Sequence, residues 1–254
     1  MLVLALSDAH IPDRAIDLPD KFKKLLSVPN KISQVVLLDN CTKSYDLLKF
    51  VNEVSPNVAI VRGEFDNAQL PTTKKNRIKE SIPINTVIRQ GNFKIGCCSG
   101  YTVVPKGDPL SLLALARQLD VDIMLWGGTH NVEAYTLEGK FFVNPGSCTG
   151  AFNSDWPIMS EDEVINKKET TEVDTNKQDE ESAVKSEEPK ETTSTDKKEK
   201  VEISNLDING SNVPSFCLLD IQDSVCTLYI YIYIEGEVKV DRVVFKKEET
   251  QIQP

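Results

Sequence analysis

The chain of 254 residues contains only two histidines, His10 and His130, so any imidazole chemistry runs through these two side chains. Its six cysteines have no paired metal-type spacing: Cys97 and Cys98 are adjacent, and Cys41, Cys148, Cys217 and Cys226 stand singly. That pattern excludes a zinc-finger or ribbon scaffold. Met1–Leu6 is apolar but runs directly into Ser7–Asp8, with no basic start and no small-residue cleavage site, so no signal peptide is expected. Reduced, mostly buried cytosolic thiols are therefore predicted. No dense Lys/Arg cluster interrupts a net charge of −10, which argues against nucleic-acid binding. No apolar run approaches the ~18 residues of a membrane span.

Aromatic residues are missing from one long stretch. Ser160–Gly210 has no Phe, Tyr, Trp or Cys, and its 16 acidic residues against 8 lysines hold eight of the ten net negative charges. Such a segment offers too little apolar surface to offset the entropy of ordering it. The expectation is a single domain over 1–254, interrupted by a disordered acidic insertion at about 155–212. The nearly neutral remainder is long enough to bury a full core without disulfide staples.

Short apolar runs at Leu2–Leu6, Val35–Leu38 and Val58–Val61 read as buried strands. Helical spacing lies between them: Phe22, Leu25 and Leu26 after Pro19, then Leu47, Leu48, Val51 and Val54 before Pro56. Strands alternating with helices at this spacing imply parallel pairing through crossovers. The second half changes character. Thr86–Arg89 and Phe93–Cys98 flank a Gly91 turn, Asp108–Pro109 opens a helix, and Ile123–Trp126 is another buried strand. Ala134–Leu137 and Lys140–Val143 form a second hairpin, and Ser215–Ile221, Val225–Ile234 and Glu237–Phe245 read as a meander. Two packed sheets with helices on the outer faces follow.

Polar residues collect where these strands end: Asp8 and His10, Asp39, Gly63–Glu64, and Gly127 to His130. In α/β sheets such ends open onto one crevice, and Asp and His suit Mn, Zn or Fe. Taken alone, Asp8-x-His10 also reads as a turn-capping Asp beside a surface His.

The ordered set resembles the metallophosphoesterase superfamily, whose pattern runs Asp-x-His, Gly-Asp, Gly-Asn-His-Asp/Glu, a lone His, and Gly-His-x-His. Its counterparts here are Asp8-x-His10, Leu38–Asp39, Gly63–Glu64–Phe65–Asp66, Ser99, and Gly127–Gly128–Thr129–His130, followed by the Asn144–Pro145–Gly146–Ser147 loop. The resemblance implies a four-layer α/β/β/α sandwich. Family enzymes use two ions to activate a bridging water. The likeness places the first ion on Asp8, His10, Asp39 and His130. The second is degraded: Glu64 is a weak remnant, Ser99 a poor substitute, and Gly128 has no side chain. Phe65 stands where the family has its proton-transferring His, and a phenyl ring cannot move a proton. The resemblance therefore implies no catalytic residue and no required cofactor, and at most one divalent ion, Mn or Zn, without a catalytic role. The alternative is a weak or one-metal phosphoesterase.

Within the superfamily, the chain resembles the phosphoesterase-fold retromer subunit of the vacuolar protein sorting family. The match rests on Met1–Leu4, Lys21–Leu26, Cys41–Lys43, Ile60–Gly63, Phe93–Gly96, Asn144–Ser147, Pro214–Phe216 and Val238–Arg242. That likeness implies a non-enzymatic scaffold in endosome-to-Golgi retrograde transport, cytoplasmic and reaching endosomal membranes only through its complex. It assigns Val103, Val104 and Pro105 to the large α-solenoid subunit. Leu2, Leu25, Leu218, Tyr229, Tyr231, Val238 and Val240 fall to an apolar groove for sorting nexins and regulators. Read from the residues alone, the loop could merely cover the cleft, and the alternating Tyr–Ile run could be a strand with one half-exposed face.

Overall fold

Alternation along the first strand sets the layering. β1 (Leu2–Ser7) sends Val3 and Ala5 into a core shared by two sheets, and Leu4 and Leu6 into a second core beneath helices. β2 (Ile32–Leu38) does the same with Val36 and Leu38 on one side and Val35 and Leu37 on the other. All eight side chains are fully buried, as strands covered on both faces require. Each of the seven Val and Leu side chains among them contributes roughly 1.5–3 kcal/mol relative to exposure. The computed structural model describes residues 1–28, 31–70, 81–154 and 213–247. The expected acidic insertion at about 155–212 lies outside the described residues.

β3 (Val58–Ile60) pairs parallel to β2, which pairs parallel to β1. The crossovers are α1 (Asp20–Leu26) and α2 (Tyr45–Val54), which bury Phe22, Leu26, Leu47, Val51 and Val54 in the outer core. Ser44 starts α2: its Oγ accepts from the Leu47 N–H at 3.2 Å, which satisfies one of the helix's orphan donors. Pro19 sits just before α1 and not inside its first turn.

The second sheet orders as β4 (Asn85–Gln90), β5 (Phe93–Cys98), β6 (Ile123–Trp126), β8 (Lys140–Pro145) and β7 (Val132–Leu137). β5, β6 and β8 are parallel neighbours, and β4 and β7 are antiparallel edges. α3 (Pro109–Gln118) covers its outer face with Leu112, Leu113 and Ala116 against Met124, Trp126 and Phe142. Asp108 caps α3 by accepting from the Ser111 N–H at 2.7 Å, with Pro109 in the first turn.

The meander β9 (Ser215–Gln222), β10 (Val225–Ile234) and β11 (Glu237–Lys246) extends the first sheet to six strands, in the order β11-β10-β9-β1-β2-β3. Ile230 and Ile232 enter the shared core, while Tyr231 and Tyr233 of the same strand pack on the outer side with Phe216 and Val238. Helices outside, two mixed sheets inside: the architecture is an α/β/β/α sandwich. Among the described residues no helix is long and apolar enough to cross a membrane.

Candidate metal centre

β1 and β2 end side by side, with Ser7 opposite Leu38, and Gly127, directly after β6 of the other sheet, comes up against Ser7 and Asp39. The chain then turns sharply. Asp8, His10, Asp39, Asn40 and His130 all hold positive φ, between 31° and 63°. L-residues adopt that region rarely, and its clustering marks functional turns. Two glycines make the convergence possible. A Cβ on Gly127 would collide with the Ser7 hydroxyl, and one on Gly100 with the Gly127 carbonyl.

Asp8, His10 and His130 face one another. Asp8 Oδ1 lies 3.8 Å from His10 Nε2 and 3.7 Å from His130 Nε2, and the two Nε2 atoms are 3.1 Å apart. Ligand atoms around one tetrahedral ion at ordinary Zn–N and Zn–O lengths are about 3.4 Å apart, so the trio fits a single ion. Its surroundings fit as well. His130 Nδ1 lies 2.7 Å from the Ala151 carbonyl, a bond in which the ring donates and leaves Nε2 as the free lone pair. Asp8 Oδ2 accepts from the Ser7 hydroxyl at 2.8 Å and the Gly128 N–H at 2.7 Å, which aims Oδ1 at the imidazoles. Asn40 Nδ2 donates to that Oδ1 at 3.0 Å.

All three side chains are almost wholly buried. Burial raises Asp8, and burial with His130 beside it lowers His10 to about 3, so His10 is neutral at physiological pH. Asp39 is pushed well up, first by burial and then by the neighbouring Asp8.

Asp39 was expected as a fourth ligand, but it lies outside the group whose ligand atoms all sit within 4.8 Å of one another. Its Oδ1 accepts from the Ser99 hydroxyl and its Oδ2 from the Gly100 N–H at 2.7 Å. Glu64 is exposed and also outside that group. The acidic residue that serves its turn is Asp66, which accepts from the Gly63 and Thr42 N–H groups at 3.0 Å each. Phe65 stands at the mouth, 5.6 Å from the His10 ring, with the Arg14 guanidinium 4.7 Å from its centroid and 5.1 Å from that of Phe152.

Of the three loop residues expected at a partner surface, Val103 does not reach it: it is buried with Leu112, Met124 and Trp126. Val104 is 80% exposed, and Pro105 is exposed beside it. Of the residues expected in the groove, Leu218, Tyr229, Tyr231, Val238 and Val240 lie on the paired strands β9, β10 and β11. Leu218 pairs with Tyr229, and Tyr231 with Val240, while Val238 lies opposite Tyr233. Leu25 of α1 is half-exposed, and Leu2 at the start of β1 is partly covered.

Sequence reasoning missed Asn40, Ser7 and Ser147. Asn40 Oδ1 accepts from the Phe65 N–H at 2.9 Å, and Ser147 Oγ donates to the Asp8 carbonyl at 2.7 Å. The signal for Asn40 was its place directly after Asp39, where a short polar side chain tolerates a left-handed backbone.

Residues 1–160 match the calcineurin-like phosphoesterase superfamily domain. The chain is also 63% identical to vacuolar protein sorting-associated protein 29 of Saccharomyces cerevisiae, an alignment that covers 98% of this chain and all of that one. It belongs to the vacuolar protein sorting-associated protein 29 family. The fold agrees. The crystal structure of Chaetomium thermophilum Vps29 is 34% identical, with a TM-score of 0.69 over 98% of this chain and 100% of that one. Entamoeba histolytica Vps29, solved in complex with Zn²⁺, is 30% identical with a TM-score of 0.67, over 97% and 100% of the two chains.

Proposed function

We propose that this chain is a non-enzymatic scaffold subunit of the retromer coat in endosome-to-Golgi sorting, docked on endosomal membranes through its complex. The reading is carried by one observation: the Asp8–His10–His130 trio is intact, while a phenyl ring stands at its mouth. Phosphoester hydrolysis by this fold needs a proton donor and two ions. Phe65 cannot donate a proton, and Gly128 has no side chain with which to ligate. The trio takes one divalent ion, Zn or Mn, as a structural fixture. The vacuolar sorting name of the 63% identical relative and the Zn²⁺ complex of the Entamoeba histolytica relative support this.

Two apolar surfaces would meet partners. Val104 and Pro105, beside the cleft, receive the large α-solenoid subunit. The outer sheet face with Leu2, Leu25, Leu218, Tyr229, Tyr231, Val238 and Val240 receives sorting nexins and regulators. An exposed apolar anchor at the rim of a concave site has the composition of an interface centre. The test is co-purification of the tagged full chain with the large solenoid subunit. Recovery of a near-equimolar complex is expected, and a chain that stays alone under mild salt contradicts the scaffold reading.

A further inference from the structure

We propose that β11 is a docking edge for a second copy of this chain. Two β11 strands pair antiparallel about a twofold axis at Val240 and join two six-stranded sheets into one.

β11 is the outermost strand of the six-stranded sheet. It runs from Glu237 to Lys246 in unbroken register with β10 and contains no proline. A long, regular edge of this kind is a template for pairing, and proteins that leave one idle blunt or cover it. The hairpin decides which backbone groups it offers. The Lys247 N–H donates to the Ser224 carbonyl at 2.9 Å, one residue beyond the Val225–Lys246 pair. Odd-numbered residues of β11 therefore bond to β10, and alternation turns the N–H and C=O groups of Val238, Val240, Arg242 and Val244 to the open edge. Arg242 shows the consequence: its N–H donates at 2.7 Å to the carboxylate of the adjacent Asp241 and not to a strand.

The charges along this edge fit a second copy. Two antiparallel strands related by a twofold axis normal to the sheet must set one residue opposite itself, because a shift of one residue puts facing side chains on opposite faces. Centring on Lys239, Asp241 or Arg242 opposes like charges, which is destabilising. Centring on Val243 opposes Lys239 to Lys247, and centring on Val244 opposes Arg242 to Lys246. Centring on Val238 leaves only the hairpin end to pair. Centring on Val240 sets Lys239 opposite Asp241 of the second copy, twice, and joins residues 237–243 of both strands. Its hydrogen-bonded pairs are Val240 with Val240 and Val238 with Arg242, the residues whose backbone is open. Charged residues blunt an edge when they meet like charge; here the opposite signs match. Val240 is 51% exposed and Lys239 is exposed, so this end of the strand is accessible. The net charge of −10 on each chain opposes association, but at physiological salt charges more than about 8 Å apart are largely screened. The contact uses the strand edge and leaves the outer sheet face uncovered.

The experiment is sedimentation equilibrium of the purified full chain at physiological salt, from micromolar to near-millimolar concentration. Amide hydrogen exchange is followed at both ends of that range, and circular dichroism checks folding. The mass should rise from one chain toward two, and the Val238, Val240 and Arg242 amides should exchange more slowly in the concentrated sample. Val240→Pro removes an N–H that faces only the open edge, so the fold should persist while the dimer is lost. Lys239→Asp or Asp241→Lys opposes like charges at two places and should weaken association about tenfold. The double variant, Lys239→Asp with Asp241→Lys, restores both pairs and should return to within about threefold of the parent. A chain that stays monomeric throughout overturns the proposal and leaves the edge to a strand of another protein. A dimer that survives Val240→Pro, or single charge variants that the double variant does not rescue, also overturns it by placing the contact elsewhere. The unmodified chain decides the matter even if a variant misfolds: a dimer in which these three amides exchange as fast as in the dilute sample does not pair through β11.

Discussion

Five non-glycine residues around the cleft hold left-handed backbone, and each such residue costs of order 1 kcal/mol. They persist because surrounding bonds over-determine them: the Asp8 N–H to the Asp39 carbonyl and the His10 N–H to the Asn40 carbonyl, both at 2.9 Å. The chain maintains this geometry around a cleft whose mouth is lined by the phenyl ring of Phe65. At the same scale, all six cysteines are buried and free. Burial pushes the Cys98 and Cys226 thiols up to about 12, and raises Cys41, Cys97 and Cys217 as well. A thiol-disulfide reagent at pH 8 should therefore label the folded chain slowly and the denatured chain at all six positions. Rapid labelling of a folded sample would contradict the buried assignment. The same shifts give a sign for alkaline stability. Unfolded thiols ionise near pH 9 and the folded ones do not, so the native state binds more protons and stability falls between about pH 9 and 12. A thermal midpoint that rises over that window would refute this.

At the scale of elements, the two apolar surfaces belong to different parts of the fold. Val104 sits in the loop after β5, and Leu218, Tyr229 and Tyr231 sit on the β9–β10 face. Val104→Asp should leave circular dichroism unchanged, since the side chain is 80% exposed. It should cost the solenoid contact about a thousandfold, because a buried unpaired charge forfeits several kcal/mol, roughly 4 in this case. Leu218→Asp or Tyr229→Ala should weaken nexin and regulator binding and spare the solenoid. Pull-downs of each variant against both partner classes check this, and joint loss of both partners in every variant would point to one composite surface. The strands were legible because β1, β2 and β6 are apolar runs that stop at polar residues, and the helices because their apolar residues recur at helical spacing. The loop was not legible in detail. Val103 and Val104 are adjacent, identical and outside any periodic element, so nothing local tells which is plug and which is anchor. Glu64 and Asp66 are two acidic residues of one turn, and only the folded backbone brings the Gly63 and Thr42 N–H groups to Asp66. The trio was readable as a set of strand-end residues. The capture of Asp39 by Ser99 and Gly100 was not, because it is a contact across about 60 positions of chain between two sheets.

At the scale of the molecule, one sandwich carries three cores: a central one between the sheets and one under each helical layer. Every described strand of both sheets lies within residues 1–145 or 215–246. Deleting Ser160–Gly210 should therefore leave a soluble, folded chain with its thermal midpoint within a few degrees of the parent. A large drop, or loss of soluble expression, would show that the insertion contributes packing. Long insertions cost little stability because closure entropy grows slowly with length.

The central claim is that a phosphoesterase sandwich has kept an ion-binding trio and given up turnover. It is tested most directly by assaying the purified full chain against an aryl phosphate monoester and diester with added Mn²⁺ or Zn²⁺. The account predicts no rate above that of metal and buffer. Turnover that follows the chain through purification and disappears in Asp8→Asn would contradict it.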